Sequence, residues 1–174
     1  MISLRTSRLL LRPLTFDDLP AYAAMHADPE VMRYYPKVFD EEESRVDLGK
    51  FIAHREKHGF SLWAVEREGR FLGITGLLRP SWEAHFTPCT EIGWRLARDA
   101  WGQGYATEAA RECLRYAFEE LGAPEVIALT SVPNEPSKRV MERLGMTRDP
   151  ADDFDHPRLP AGPLQRHVLY RIKA

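Results

Sequence analysis

Residues 92–113 read IGWRLARDAWGQGYATEAAREC, and this stretch decides the fold. The apolar alternation through CTEIGWRLA predicts a strand, and Gly93 inside it suggests a bulge or a close backbone approach. A turn holding Gly102 and Gly104 follows, and after Gly104 the period changes to that of a helix. Ala106, Ala109, Ala110, Cys113, Leu114, Ala117, Phe118 and Leu121 recur at spacings of three and four, and Gly122 closes the stripe. Such a strand-to-helix turn aims several backbone N–H groups and the positive end of a helix at one point, which suits a phosphate without a cationic side chain. Gly104 would let an anion approach the backbone closely, and Thr107 adds a hydroxyl.

Two common phosphate binders are disfavoured by composition. A nucleoside-triphosphate loop needs Gly-Lys-Ser/Thr, and no lysine stands near this turn. A dinucleotide fingerprint needs an acidic residue closing the next strand, which here ends Leu129-Thr130-Ser131.

Working outward, RLLLRPL within Ile2–Leu14 reads as a strand stopped at Pro13. A helix follows, with Asp17 as a cap and Pro20 in its first turn. A charged helix is expected over Asp40–His58, ended by Gly59. SLWAVE and FLGITGLLR flank Glu68-Gly69-Arg70 as a hairpin. EVIALTSV is a strand, NEPSKRVMERLG a short helix, and PLQRHVLYRIKA a last strand after a Pro-rich loop over Asp149–Pro163. Hairpin-like pairs early and strand–helix pairs late predict an α/β (α+β) chain with a mixed sheet, organised as one domain over residues 1–174.

Composition agrees. The 174 residues carry 24 Lys and Arg against 26 Asp and Glu, and 44% are hydrophobic. That balance speaks against a nucleic-acid module and for a packed core. No apolar run is long enough for a membrane span or a signal core, so a cytoplasmic protein is expected. Cys89 and Cys113 have neither metal nor disulfide spacing.

The segment AWGQGYATEA resembles the acyl-CoA pyrophosphate loop of the GCN5-related N-acetyltransferases. In that motif an Arg or Gln is followed at fixed spacing by Gly and by Gly or Ala; Gly104 and Ala106 match, and Trp101 stands in the Arg/Gln position. TSRLLLRPLTFDDLPAYAAMHADPEVMRYY, TEIGWRL and NEPSKRVMERLGM are similar to the opening, central strand and CoA-side helix of its RimJ/RimL-like branch, the ribosomal-protein N-terminal acetyltransferases. The resemblance implies a mainly antiparallel sheet splayed open for acyl-CoA, with helices on both faces, and acetyl transfer from acetyl-CoA to a primary amine by direct attack. It maps the cofactor cradle onto Gly102, Gln103, Gly104, Tyr105, Ala106 and Thr107. It sets Asn134 and Ser137 across from it, near the pantetheine arm, and puts the backbone at Gly93 or Trp94 beside the thioester carbonyl. Glu91 is then the candidate base and Ser137 the candidate acid, although the Ser137 side chain equally suits a cap of its helix; Tyr170 is a weaker acid. Arg33 and Tyr34 and the Asp149–Pro163 loop are expected to meet the acceptor, a protein N-terminus or a small amine. Monomer and homodimer both agree with the family. A binding or sensor module of the same fold would keep the loop and make no use of Glu91 or Ser137.

No metal site is expected. His54 and His58 have ligand spacing, but Arg55 stands where a zinc protease has Glu, and a solvated helix face is the simpler reading. Trp63, Trp82, Trp94 and Trp101 read mostly as core residues, and an exposed Trp82 near Arg79 and His85 would be placed to touch the acceptor.

Overall fold

The computed structural model describes residues 2–174. Nine strands and four helices follow one another: β1 (Leu4–Arg5), β2 (Leu10–Pro13), α1 (Leu19–Ala27), α2 (Glu41–His58), β3 (Leu62–Arg67), β4 (Arg70–Leu78), β5 (Glu91–Leu96), α3 (Tyr105–Glu119), β6 (Glu125–Ser131), α4 (Glu135–Arg143), β7 (Thr147–Arg148), β8 (Phe154–Asp155) and β9 (Arg166–Lys173). They form one sheet in the order β1-β2-β3-β4-β5-β6-β9-β7, with β8 also paired to β9. Every pairing is antiparallel except β5 with β6.

Local chemistry sets the elements. Asp40 caps α2 by accepting from the Glu43 N–H at 2.8 Å, and Gly59 ends it at φ 80°. Glu68 and Gly69 both have positive φ, which gives the β3–β4 hairpin the mirror-image turn that matches strand twist. A Cβ at Gly76 would meet the Ser61 carbonyl oxygen at 2.4 Å, so this central strand position accepts glycine alone.

Some expectations need correction. The N-terminal segment is two short paired strands rather than one, because the chain turns at Thr6–Leu9, where the Thr6 N–H donates to the Leu9 carbonyl. Asp18, not Asp17, organises the start of α1: its carboxylate accepts from the Thr15 N–H at 3.0 Å and pairs with Arg12. The Asp149–Pro163 loop holds a helical turn at Pro150–Asp152 and the strand β8. His54 does not face solvent. Its Nδ1–H donates to the Phe60 carbonyl at 2.9 Å and its Nε2 accepts from the Arg79 N–H at 2.9 Å, tying the end of α2 to the end of β4. Trp82 is packed as a core residue, against Phe86, Phe154 and His156, whereas Trp101, also read as core, is exposed.

The sheet buries both faces. On one, Trp63, Val65, Ile92, Leu96, Val126 and Val168 pack against α3 and α4. On the other, Leu62, Ala64 and Ile74 pack against α1 and α2. No helix among the described residues is long and apolar enough to cross a membrane, and none of their His, Cys, Asp and Glu side chains group as a metal site.

Candidate active site

The strands β5 and β6 share a single register pair, Glu91 with Ile127, next to the bond from the Ile127 N–H to the Thr90 carbonyl at 2.9 Å. Beyond it β5 keeps only β4 and β6 keeps only β9, so the sheet opens. Because the two strands are parallel, both end at the open side. The helices that follow them, α3 and α4, therefore both start at that end of the sheet, and the start of α4, with Asn134 and Ser137, lines the opening.

Side-chain alternation divides β5 between two tasks. Ile92, Trp94 and Leu96 face the α3 core, while Glu91, Gly93 and Arg95 face the α1–α2 side. The β4–β5 register is continuous through Gly93, so the expected bulge is absent. The Ala97 N–H donates to the Leu72 carbonyl at 2.9 Å. By antiparallel alternation the N–H groups of Gly93 and Arg95 also point at β4, and that of Trp94 points into the opening. Trp94 thus supplies the free backbone donor. Gly93 has a different use: a Cβ there would meet no atom within 4 Å, so its missing side chain leaves open space.

A cavity of about 340 Å³ fills the opening. Glu91, Trp94, Asn134, Ser137 and Tyr34 all line it, which brings together five of the residues singled out from sequence. Glu91 is partly buried, and among the described residues no hydrogen bond or ion pair engages its carboxylate. Burial raises that carboxyl to about 7, since the charged form gives up its water without a compensating partner. Asn134 caps α4 by accepting from the Ser137 N–H at 3.3 Å, while its side-chain amide donates to Thr130 Oγ1 at 2.8 Å and Ser137 Oγ at 3.2 Å. Asn134, not Ser137, is the cap, and the Ser137 hydroxyl keeps its proton free to donate.

The glycine turn lies apart from this cavity. Gly102 and Gly104 sit at φ 74° and 79°, and Gly104 is the N-cap of α3, so no side chain satisfies the first N–H groups of that helix. Trp101 fixes the loop by donating its indole N–H to the Leu96 carbonyl at 2.9 Å. Thr6, Arg8 and Glu108 tie the turn to the N-terminal hairpin through bonds of 2.5 and 2.6 Å onto Glu108. Tyr105 has its ring buried and bonded to Arg67, so of this residue only the backbone N–H faces the turn. Gln103 and Tyr105 border a second hollow with Arg67 and Arg70. An exposed, uncapped helix start without Cβ atoms, with Arg8 beside Gly104, fits a pyrophosphate.

Two sequence-derived candidates fall elsewhere. Arg33 is 62% exposed and pairs with Glu30 at 3.8 Å, outside the cavity; Tyr35 lines it instead, beside Tyr34. Tyr170 points its hydroxyl at Glu142, 3.4 Å away, and does not line the cavity. The 149–163 loop does reach it, through His156 and Leu159. Arg95, Ser131 and His167 were missed. Arg95 was within reach, because two-residue alternation from Glu91 through Gly93 leads to it.

The matches to known proteins agree with this geometry. Residues 8–147 match the model of the acetyltransferase (GNAT) domain family, and the chain belongs to that family. It is an acetyl-CoA-dependent N-acetyltransferase. It is 37% identical over 179 residues to the FsC-acetyl coenzyme A-N(2)-transacetylase of Aspergillus fumigatus, covering 98% of this chain and 75% of that one. It is 37% identical over 144 residues to the uncharacterized protein YkkB of Bacillus subtilis, covering 81% and 83%. Among solved structures, an acetyltransferase from Agrobacterium tumefaciens str. C58 superposes with a TM-score of 0.80 at 29% identity, over 100% of this chain and 95% of that one.

Proposed function

We propose that the amine is acetylated inside the β5–β6 opening, with Glu91 as general base, the Trp94 N–H as oxyanion donor and Ser137 as the acid for the leaving thiolate. The turn from Gly102 to Thr107 holds the pyrophosphate of acetyl-CoA on its free N–H groups, the pantetheine arm passes Asn134, and Tyr34 contacts the acceptor. The observation that carries this reading is the cavity that joins the Glu91 carboxylate, without a partner among the described residues, to the Trp94 N–H and Ser137.

The chemistry balances. The neutral amine nitrogen bonds to the thioester carbon, the carbonyl oxygen takes negative charge beside the Trp94 N–H, and the C–S bond breaks as the carbonyl re-forms. Before attack the ammonium gives one proton to Glu91, directly or through water. After it the second proton on nitrogen replaces, through water, the one that the Ser137 hydroxyl gives to the thiolate, and Glu91 returns its proton to solvent. An amine of pKa about 10.4 stands about 6 pH units above an ordinary carboxyl; at about 7 Glu91 narrows that gap to about 3. The RimJ/RimL-like segments of the sequence support a place in that branch, with a cytoplasmic site of action and an acceptor amine on a protein N-terminus or a small molecule. The name of the Aspergillus relative, an N(2)-transacetylase, supports nitrogen as the atom acetylated.

The test is thiol release from acetyl-CoA with a panel of amines, set against release without amine. Amine-dependent release is expected. Gly93→Val should then raise the acceptor KM about tenfold, because its methyl groups enter open space without straining the backbone. An unchanged KM would move the acceptor path away from β5. Ser137→Ala should lower kcat about tenfold, and the defect should shrink with a thioester of a more acidic thiol, since such a thiolate needs less help to leave.

A further inference from the structure

The deepest cationic group of the cavity has no part in the chemistry above. Arg95 lines the cavity on the same strand face as Glu91, four residues along β5. At about 3.3 Å per residue their Cα atoms stand about 13 Å apart. The Arg95 guanidinium lies over the Tyr35 ring, 4.0 Å from its centroid, and donates through Nη1 to His26 Nε2. Since arginine only donates, His26 carries its own proton on Nδ1, facing Ser44 Oγ at 3.4 Å. His26 is therefore neutral and brings no negative charge. Arg95 Nε is buried without a partner, and no carboxylate among the described residues forms an ion pair with the side chain. Asp47 acts on it only from a distance, being bonded to the Tyr22 hydroxyl at 2.9 Å and 3.9 Å from Lys50. Burial, which disfavours the charge, is offset by the polar groups of Tyr35 and Tyr22 rather than by a carboxylate in contact.

A part-buried cation without a counter-ion is costly, and one held in place by an aromatic stack and a neutral imidazole is preorganised for an anion. Tyr34, Tyr35, Pro36 and Phe51 give the same end of the cavity an apolar wall that suits a short hydrocarbon spacer. We infer that the acceptor is a small amino carboxylate, its amine directed toward Glu91 and its carboxylate seated on Arg95. This rests on the reading of Glu91 and the β5–β6 opening as the place of transfer.

The probes are linear ω-amino carboxylates of three to six carbons, each paired with its ω-amino amide. Both members of a pair offer the same primary amine, and only one carries the anion. Calorimetry on the CoA-loaded protein reads binding, and thiol release from acetyl-CoA reads transfer. The acid of at least one pair is expected to bind and react at least about tenfold better than its amide. Arg95→Gln should bring that ratio close to one while the affinity for CoA stays as it was; Arg95→Lys should keep part of the preference. Amides equal to acids in the unaltered protein overturn the inference, and so does an Arg95→Gln protein that keeps the preference. The comparison in the unaltered protein decides the matter even where Arg95→Gln fails to fold. Acids that bind selectively yet are not acetylated overturn the place of transfer at Glu91 and leave Arg95 as the anion site.

Discussion

Replacing Glu91 by glutamine is expected to lower kcat about 10²-fold while the Kd for CoA stays within a factor of two. Glutamine keeps the shape and the hydrogen-bonding reach of the side chain and loses only its basicity. The pH profile carries the sharper signature. In the unaltered protein the carboxyl sits at about 7, so kcat at saturating substrate should rise about tenfold per pH unit below that value and flatten above it. The Glu91→Gln protein should lack this inflection and instead climb steadily toward the pKa of the amine. Stability moves in the opposite sense. A carboxyl whose folded pKa lies above its unfolded value of about 4.3 costs nothing where it is protonated in both states. Its cost grows as pH rises from about 4 to 7 and is constant above. Melting curves of the two proteins should therefore agree near pH 4, and Glu91→Gln should be the more stable at pH 8. Full activity of Glu91→Gln at neutral pH would falsify the base role and leave orientation of the amine as the source of rate.

Gly104→Val should weaken CoA binding about 10²-fold. The reason is not crowding within the protein, since a Cβ at Gly104 meets only Arg8 Nη2, at 3.6 Å. It is the backbone: φ is 79°, and a β-branched residue in the left-handed region costs about 1–2 kcal/mol and is relieved by turning the peptide units that begin α3. Two misaimed charge-assisted bonds to a pyrophosphate, at about 1.5 kcal/mol each, account for the loss. Gly59→Val is the control. Gly59 has nearly the same φ, 80°, and as open a surrounding, but it ends α2 away from the cavity. Equal losses of melting temperature in the two variants with loss of CoA binding only at Gly104 assign the cradle to the turn. Unaltered CoA affinity in a folded Gly104→Val protein would remove the turn from the site.

The sequence by itself determined the elements whose causes are local. The stripe from Ala106 to Phe118, the charged helix that starts at Asp40, its stop at Gly59 and the Glu68-Gly69 turn all follow from periodicity and backbone freedom within a few residues, and the structure has each of them. Only Leu121, the last residue expected in the stripe, falls beyond the helix and is exposed. It also determined the candidates that sit in motifs: Glu91 on its strand, the glycine turn, and the Asn134–Ser137 pair at the start of α4. What it left undecided depends on which strands stay paired. Only the loss of β6 as a partner beyond Glu91 turns the Trp94 N–H into a free donor, and only the unbroken register with β4 makes Gly93 a gap rather than a bulge. Only the packing of α1 and α2 on that face brings Tyr35 and His26 onto Arg95, while Arg33, next to Tyr34 in sequence, turns out to solvent. The Glu91 pKa belongs to the same group, because desolvation is a property of the surroundings and no residue type carries it alone. Contacts between residues far apart in the chain leave no periodic signal, so the acceptor end of the site was the part that the tertiary structure had to decide.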